Sequence, residues 1–371
     1  MAGFEDLFAQ FCNQDKARPS GVHEKRTFNG HCHCNRIQFN ITLPTASFPL
    51  RSLLCHCSAC RYTHGTFASS NVILPPGVEP QWINGSSRGD LKGYEKLGGR
   101  GERWFCPTCG SHVGHFGPSY SQWSVAWGIF DDKFWQLSFH TFPKSAPGGG
   151  IVHCLSEVAG KEVLHLSSGT QDLPEECQQE IGSDGEERLR ARCCCGGVSF
   201  TISRPTQKIM DDDYMRKYVS PTDPNKWKAF LDLCRDCGRL SGTSVVPWLL
   251  VPRTALEPEV PPDLTLGSIK TYKSSEPTTR GFCGVCGATV FLATTDRMPT
   301  ERQAILNVAM GVLRAPEGVT AGNWVSWRTA KVAWADDARR YDADFTNALL
   351  VGHEDWGIKT TGGTLDFAVM Y

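Results

Sequence analysis

The chain has 371 residues and a mass of 40.9 kDa, which at about 150 residues per domain predicts two or three domains. Hydrophobic residues make up 40 % and charged residues 21 %, with a formal net charge of -1; this balance fits a globular protein and excludes a general electrostatic pull toward nucleic acid or an anionic membrane. No apolar run approaches the roughly 20 residues that span a bilayer, and Met1-Ala2-Gly3-Phe4-Glu5-Asp6 lacks the basic and apolar parts of a secretory signal, so a cytoplasmic protein is expected.

Taken along the chain, Phe4 to Phe11 reads as a short helix, and the remaining patterns favour strands. Gln38-Phe39-Asn40-Ile41-Thr42-Leu43 alternates polar and apolar residues, as does Ser199-Phe200-Thr201-Ile202-Ser203, the mark of a half-buried strand. The run Val245 to Val251 is aromatic and β-branched, and 37 Gly and 22 Pro punctuate short segments. Gly98-Gly99-Arg100-Gly101 is a loop. Eleven Trp residues are read as core and sheet packing. The fold class is therefore mainly β.

Cysteine usage is the abnormal feature. There are 17, an odd number, whereas a disulfide scaffold is short, exported and evenly paired. Close spacing points to metal. A first set comprises Cys32-x-Cys34, Cys55-x-Cys57-x-x-Cys60 and Cys106-x-x-Cys109; a second comprises Cys193-Cys194-Cys195, Cys234-x-x-Cys237 and Cys283-x-x-Cys286. Cys57, Cys60, Cys106 and Cys109 each recur 177 positions later as Cys234, Cys237, Cys283 and Cys286, and Gly65-Thr66 recurs as Gly242-Thr243. This is the duplication of a whole domain, too long for a solenoid repeat. The expected division is 25–147, an acidic linker 148–187, 188–345 and a C-terminal tail 346–371. From Asp172 to Glu187 there are seven acidic residues and no basic ones, a stretch expected to stay solvated and mobile. Cys12, Cys154 and Cys177 receive no role, and Cys194 is read as a passive neighbour of a metal site.

Seven candidate ligands in the first repeat divide as four plus three. Four thiolates make a closed structural zinc site; three leave a position for water or substrate. Spacing alone does not say which pairs combine. In the second repeat Asp232 stands where Cys55 stands in the first, so Asp232, Cys234 and Cys237 form either a lost site or an altered one with a harder donor. The step from Cys195 to Cys234 is 39 positions against 23 from Cys34 to Cys57, 16 longer, and the extra segment near Met210 to Lys228 covers a site, packs between the repeats or is a surface insertion. His56, between two proposed ligands, is a candidate acid or base. Arg61 and Arg103 are candidates to hold a substrate carboxylate. His112 and His115 are three apart, which places them on opposite faces of a strand as ordinary strand residues.

Gly30-His31-Cys32-His33-Cys34, Cys55-His56-Cys57-Ser58-Ala59-Cys60-Arg61 and Phe105-Cys106-Pro107-Thr108-Cys109-Gly110 together resemble the glutathione-dependent formaldehyde-activating enzyme family, which includes centromere protein V. The resemblance covers roughly 25–147 and again about 188–340. It implies two tandem Mss4-like zinc-binding β domains. It implies that Cys32, Cys34, Cys106 and Cys109 hold a structural zinc and that Cys55, Cys57 and Cys60 hold an open one. Cys193, Cys195, Cys283 and Cys286 keep the structural four in the second repeat. Three or four zinc ions per chain are expected, with glutathione as a co-substrate. The implied activity is that of a carbon–sulfur lyase on a thiol adduct of an aldehyde or other carbonyl. Two other readings stand beside it: a zinc enzyme of specialised metabolism that isomerises, eliminates or epimerises without glutathione, and a non-catalytic thiol carrier or interaction module. The expected partner is a small thiol or carbonyl compound, with no nucleic acid and no membrane.

Overall fold

The computed structural model describes residues 24–95, 101–117, 121–166, 170, 173 and 177–369. The helix expected at Phe4 to Phe11, Cys12 and the loop residues Gly98, Gly99 and Arg100 lie outside these.

Alternation produces strands as expected. Gln38–Pro44 buries Phe39, Ile41 and Leu43 and leaves the residues between them half-buried, as a side-chain period of two requires. It pairs antiparallel with Lys25–His31 and with Gln81–Trp82 to form a three-stranded sheet. An eight-stranded sheet follows, in the order Leu164–His165, Trp135–Thr141, Leu50–Cys55, Ser69–Ile73, Gln122–Ala126, His112–Gly117, Arg103–Phe105 and Lys92–Tyr94.

The second half repeats this plan. Glu187–Arg192, Ser199–Ser203 and Leu256–Glu257 form the small sheet, extended by Glu180–Ile181. The larger one runs Val325–Trp327, Trp227–Asp232, Val246–Pro252, Ile305–Ala309, Thr289–Thr294, Thr278–Cys283 and Ile269–Ser275. Parallel pairing is confined to one end of each large sheet: Trp135–Thr141 lies parallel to both Leu164–His165 and Leu50–Cys55, and Val325–Trp327 lies parallel to Trp227–Asp232, while the pairings further inward are antiparallel. Each half also carries a seven-residue helix that opens at a cysteine, Ser58–His64 and Arg235–Ser241, and each ends at a left-handed glycine, Gly65 and Gly242.

The halves pack reciprocally. A Cβ at Gly65 would lie 2.1 Å from the Thr289 carbonyl, and one at Gly242, 177 positions on, would lie 2.8 Å from Cβ of His112, the counterpart of Thr289. Gly110 packs on Phe282 as Gly287 packs on Phe105. Such exchange, in which residue i meets j and the copy of i meets the copy of j, is the pattern of a two-fold contact. One apolar cluster accordingly runs through both halves. Strands such as Val246–Pro252 are buried on both faces.

Two expectations need correction. The segment 148–187 is not a solvated linker. Leu164–His165 joins the first large sheet, Glu180–Ile181 pairs with Glu187–Arg188, and Leu173 is buried with its N–H donating to Ser58 Oγ at 2.6 Å. Two of its acidic residues are paired locally: Arg188 and Arg190 hold Asp184 and Glu180. Nor is 346–371 a tail. Ala343–Thr361 is a 19-residue helix capped by Asp342, whose side chain accepts from Phe345 N, and closed by left-handed Gly362. Phe345, Leu349, His353 and Gly357 form its buried stripe, one turn apart. That stripe reaches back to the first half, where a Cβ on Gly352 would strike the Cys154 carbonyl at 2.0 Å. The extra segment in the second repeat, finally, is packed: Ile209, Met215, Tyr218 and Val219 are buried.

Candidate metal centres

The structure brings together four groups of ligand-bearing side chains, with donor atoms in each within 4.8 Å of one another. Two are quartets, Cys32, Cys34, Cys106 and Cys109, and Cys193, Cys195, Cys283 and Cys286. Two are trios, Cys55, Cys57 and Cys60, and Asp232, Cys234 and Cys237. All 16 described cysteines are free thiols.

The quartets fit zinc. Sulfur–sulfur separations are 3.4 Å for Cys32–Cys34, 3.7 Å for Cys34–Cys106, and 3.5 Å for Cys193–Cys195 and Cys195–Cys283. A tetrahedron with zinc–sulfur bonds of about 2.3 Å has edges of about 3.8 Å. Tight turns aim backbone N–H groups at the same sulfurs, from Ile37 to Cys32 and Val198 to Cys193 at 3.3 Å, and from Cys286 to Cys283 at 3.4 Å. Such donors favour thiolate over thiol.

The first trio is built by one strand and one helix. Leu50–Cys55 delivers Cys55; Cys57 caps the helix Ser58–His64, its sulfur accepting from Cys60 N at 3.4 Å. Cys55 and Cys57 sulfurs are 3.6 Å apart. Arg103, from the neighbouring strand Arg103–Phe105, donates Nη2–H to Cys60 Sγ at 3.4 Å. Contacts with Cys55 and Cys57, then the charge of Arg103, hold the Cys60 thiol well below its ordinary range. Burial opposes the charge on Arg103, but the Cys60 and Cys57 sulfurs outweigh it and raise its pKa.

The sequence-derived flanking residues fare differently. Arg61 is buried and engaged with backbone carbonyls. Its Nε donates to the His56 carbonyl at 3.1 Å and its Nη2 to the Ser145 carbonyl at 2.9 Å, so it ties the knuckle to the strand Trp135–Thr141 and the turn after it. His56 is fully buried, with Nε2 2.9 Å from His140 Nδ1. His140 Nε2 donates to the Leu155 carbonyl at 2.8 Å. A carbonyl only accepts, so the neutral His140 presents a lone pair at Nδ1, and His56 donates to it. Burial, then His140, pushes the His56 pKa well down. Arg103 pairs with a sulfur rather than a carboxylate.

His112 and His115 do not point to opposite faces. The register between Arg103–Phe105 and His112–Gly117 slips by one residue at Trp104/Phe105, where Gly114 has φ of +151°. A bulge of this kind restores three-apart residues to one side. Both imidazoles sense Arg103 and His64; burial and then Arg103 lower His115 to about 4. His112 stacks on His64, ring centroids 4.0 Å apart. His64 was absent from the sequence-derived set, although its place four residues after Cys60 on a helix signalled a shared face.

The second trio keeps the arginine and loses the histidines. Arg280 donates to Cys237 Sγ at 3.2 Å. Ser241, Thr289 and Leu292 stand where His64, His112 and His115 stand in the first half. Asp232 is buried, with Oδ1 accepting from Cys234 N at 2.8 Å and Oδ2 from Trp248 Nε1 at 3.0 Å and Cys237 Sγ at 3.2 Å. Burial raises its pKa.

Residues 27–145 match the family model of the glutathione-dependent formaldehyde-activating enzyme. This segment is a domain of that family. It contains the first quartet, the first trio, Arg103 and all three clustered histidines. No curated protein matches the chain. The matched family is named for glutathione-dependent formaldehyde activation, and the cysteine clusters are groups that could hold metal ions. Among the described residues no helix is long and apolar enough to cross a membrane.

Proposed function

We propose that this protein is a zinc-dependent carbon–sulfur lyase that makes or breaks the adduct between a thiol, of which glutathione is the family's type, and an aldehyde. The observation that carries the reading is the first trio: three clustered sulfurs with no fourth protein donor among the described residues, beside an arginine. Cys55, Cys57 and Cys60 would hold a zinc ion with a fourth position free, and that ion would supply a site at which a substrate thiol could bind with its pKa lowered. Arg103 holds Cys60 in its anionic form and places positive charge where a second sulfur acquires negative charge. In the synthetic direction the S–H bond breaks, the sulfur pair forms the carbon–sulfur bond, and the carbonyl oxygen takes a proton; no oxidant is required. The reverse breaks that bond and returns the pair to sulfur.

The quartets are structural zinc sites in this reading, and the halves are two copies of an Mss4-like domain. The second trio is a hydrogen-bonded remnant: both Asp232 oxygens are engaged by protein donors, and the histidines that surround the first trio are replaced. The zinc count is then three.

The test is the rate at which glutathione and formaldehyde equilibrate with their adduct, followed by NMR. Wild type accelerates it, and Cys57→Ser does not while retaining its fold. Equal acceleration by the variant overturns the reading.

A further inference from the structure

The strand Lys92–Tyr94 ends the first large sheet, and Ile269–Ser275 ends the second in the same place. Both carry a lysine and a tyrosine two residues apart. Lys92 and Tyr94 pair with Phe105 and Arg103; Lys270 and Tyr272 pair with Phe282 and Arg280, the residues 177 positions on. Each strand reaches the cysteine quartet of the other half. Tyr272 places its hydroxyl 2.9 Å from Nδ1 of His33, the residue between Cys32 and Cys34. Asp236, also of the second half, lies 3.5 Å from Nε2 of the same ring. Tyr94 in turn hydrogen-bonds with Cys194, the residue between Cys193 and Cys195. Lys92 Nζ donates to the Gly284 carbonyl at 2.6 Å, inside the knuckle Cys283-Gly284-Val285-Cys286. The N–H of that same peptide, on Val285, donates to Cys283 Sγ at 3.4 Å. A cation on the oxygen polarises the peptide and strengthens the donation to sulfur from its other end.

We infer that the lysine–tyrosine strand of each half is a strap that closes the other half's quartet, so that metal retention at the quartets and the joining of the halves are one process. This rests on the reading of the quartets as zinc sites. Groups that support a metal's ligands govern how tightly the metal is held, and here that support crosses from one copy to the other. Separating the halves removes Lys92 from the Cys283 knuckle and Tyr272 from the loop Cys32-His33-Cys34, so both quartets lose metal more readily. A loaded quartet in turn fixes the carbonyl and the imidazole that the straps grip, and so holds the halves together. His33 and Cys194 thereby acquire a common place: each stands between two ligands and is met by a tyrosine of the opposite half.

The experiment follows zinc release from the full chain into an excess of chromophoric chelator. It is done in the Cys57→Ser background, so that only the quartets carry metal, and hydrogen exchange read by mass spectrometry locates the site that opens. Lys92→Met is expected to release one of the two zinc ions about 10-fold faster and to expose the amides of the Cys283 to Cys286 knuckle. Tyr272→Phe is expected to speed the other ion and to expose the amides of the Cys32 to Ile37 loop. Lys273→Met, on the same strand as Tyr272 but paired with Glu276, should match the background. Release at the background rate from both Lys92→Met and Tyr272→Phe overturns the inference, as does faster release confined to the quartet of the mutated half. If the Cys57→Ser chain carries fewer than two zinc ions, the quartet reading itself fails, which is a distinguishable result.

Discussion

Arg103 donates to the Cys60 sulfur in the first half, and 177 positions later Arg280 donates to the Cys237 sulfur in the second. The pairing survives although one copy has exchanged a cysteine for Asp232 and three histidines for Ser241, Thr289 and Leu292. An arginine beside a thiolate thus serves the knuckle itself, and the histidines are what distinguish the half proposed to be active.

Replacing Arg103 by Gln should weaken metal at the first trio by about 10- to 100-fold, the usual effect of removing a group that supports a ligand. Competition with a chelator measures it. The quartets should be untouched, so a uniform loss from all sites would contradict the assignment.

Asp232→Ala removes the acceptor of Trp248 Nε1 and Cys234 N. Leaving buried donors unsatisfied costs about 1–3 kcal/mol, read from urea unfolding. The zinc count should stay at three. A fall by one would make the second trio a metal site.

Gly311 donates N–H to the Gly65 carbonyl at 3.1 Å, and a Cβ on Gly311 would lie 2.1 Å from Thr66 N. Backbone cannot yield as a side-chain tip does, so Gly311→Ala should destabilise by at least the ~1–3 kcal/mol of ordinary overpacking. A variant with wild-type melting temperature would show that the halves do not meet there.

His353 gives a pH prediction away from the cysteines. Burial lowers it to about 4, and its Nε2 donates to the Arg328 carbonyl at 3.0 Å. Its folded pKa lies below the unfolded value near 6.5, so its contribution is complete above that value and is lost as pH falls toward 4. The loss is of order 3 kcal/mol. His353→Gln keeps a donor and removes the titration, so its stability should be flatter over this window. Identical pH curves would rule out the buried neutral state.

The candidate ligands were legible because a turn of two residues between cysteines presents two thiolates together, and the constant offset exposed the repeated plan; which pairs combine came from the family resemblance and not from spacing. The strands Gln38–Pro44 and Ser199–Ser203 were legible for the same local reason: a period of two survives any tertiary context. What escaped depended on long-range partners. The helix Ala343–Thr361 buries only Phe345, Thr346, Leu349, His353 and Gly357 of its 19 residues, too few apolar positions to register as an amphipathic face. The segment 148–187 looked solvated because the arginines that pair with two of its acids, Arg188 and Arg190, follow it in sequence. A one-residue bulge reversed the expected side of His115, and nothing local encodes that slip beyond Gly114. Nothing in the local sequence tells that Arg61, a candidate to hold a substrate carboxylate, donates to the carbonyls of His56 and Ser145.

Zinc analysis of the purified chain beside Cys57→Ser bears most directly on the central claim. Three zinc ions per chain in wild type, two in the variant, and loss of adduct formation with both quartets still loaded is the predicted outcome. An unchanged zinc count with full activity in Cys57→Ser would contradict it.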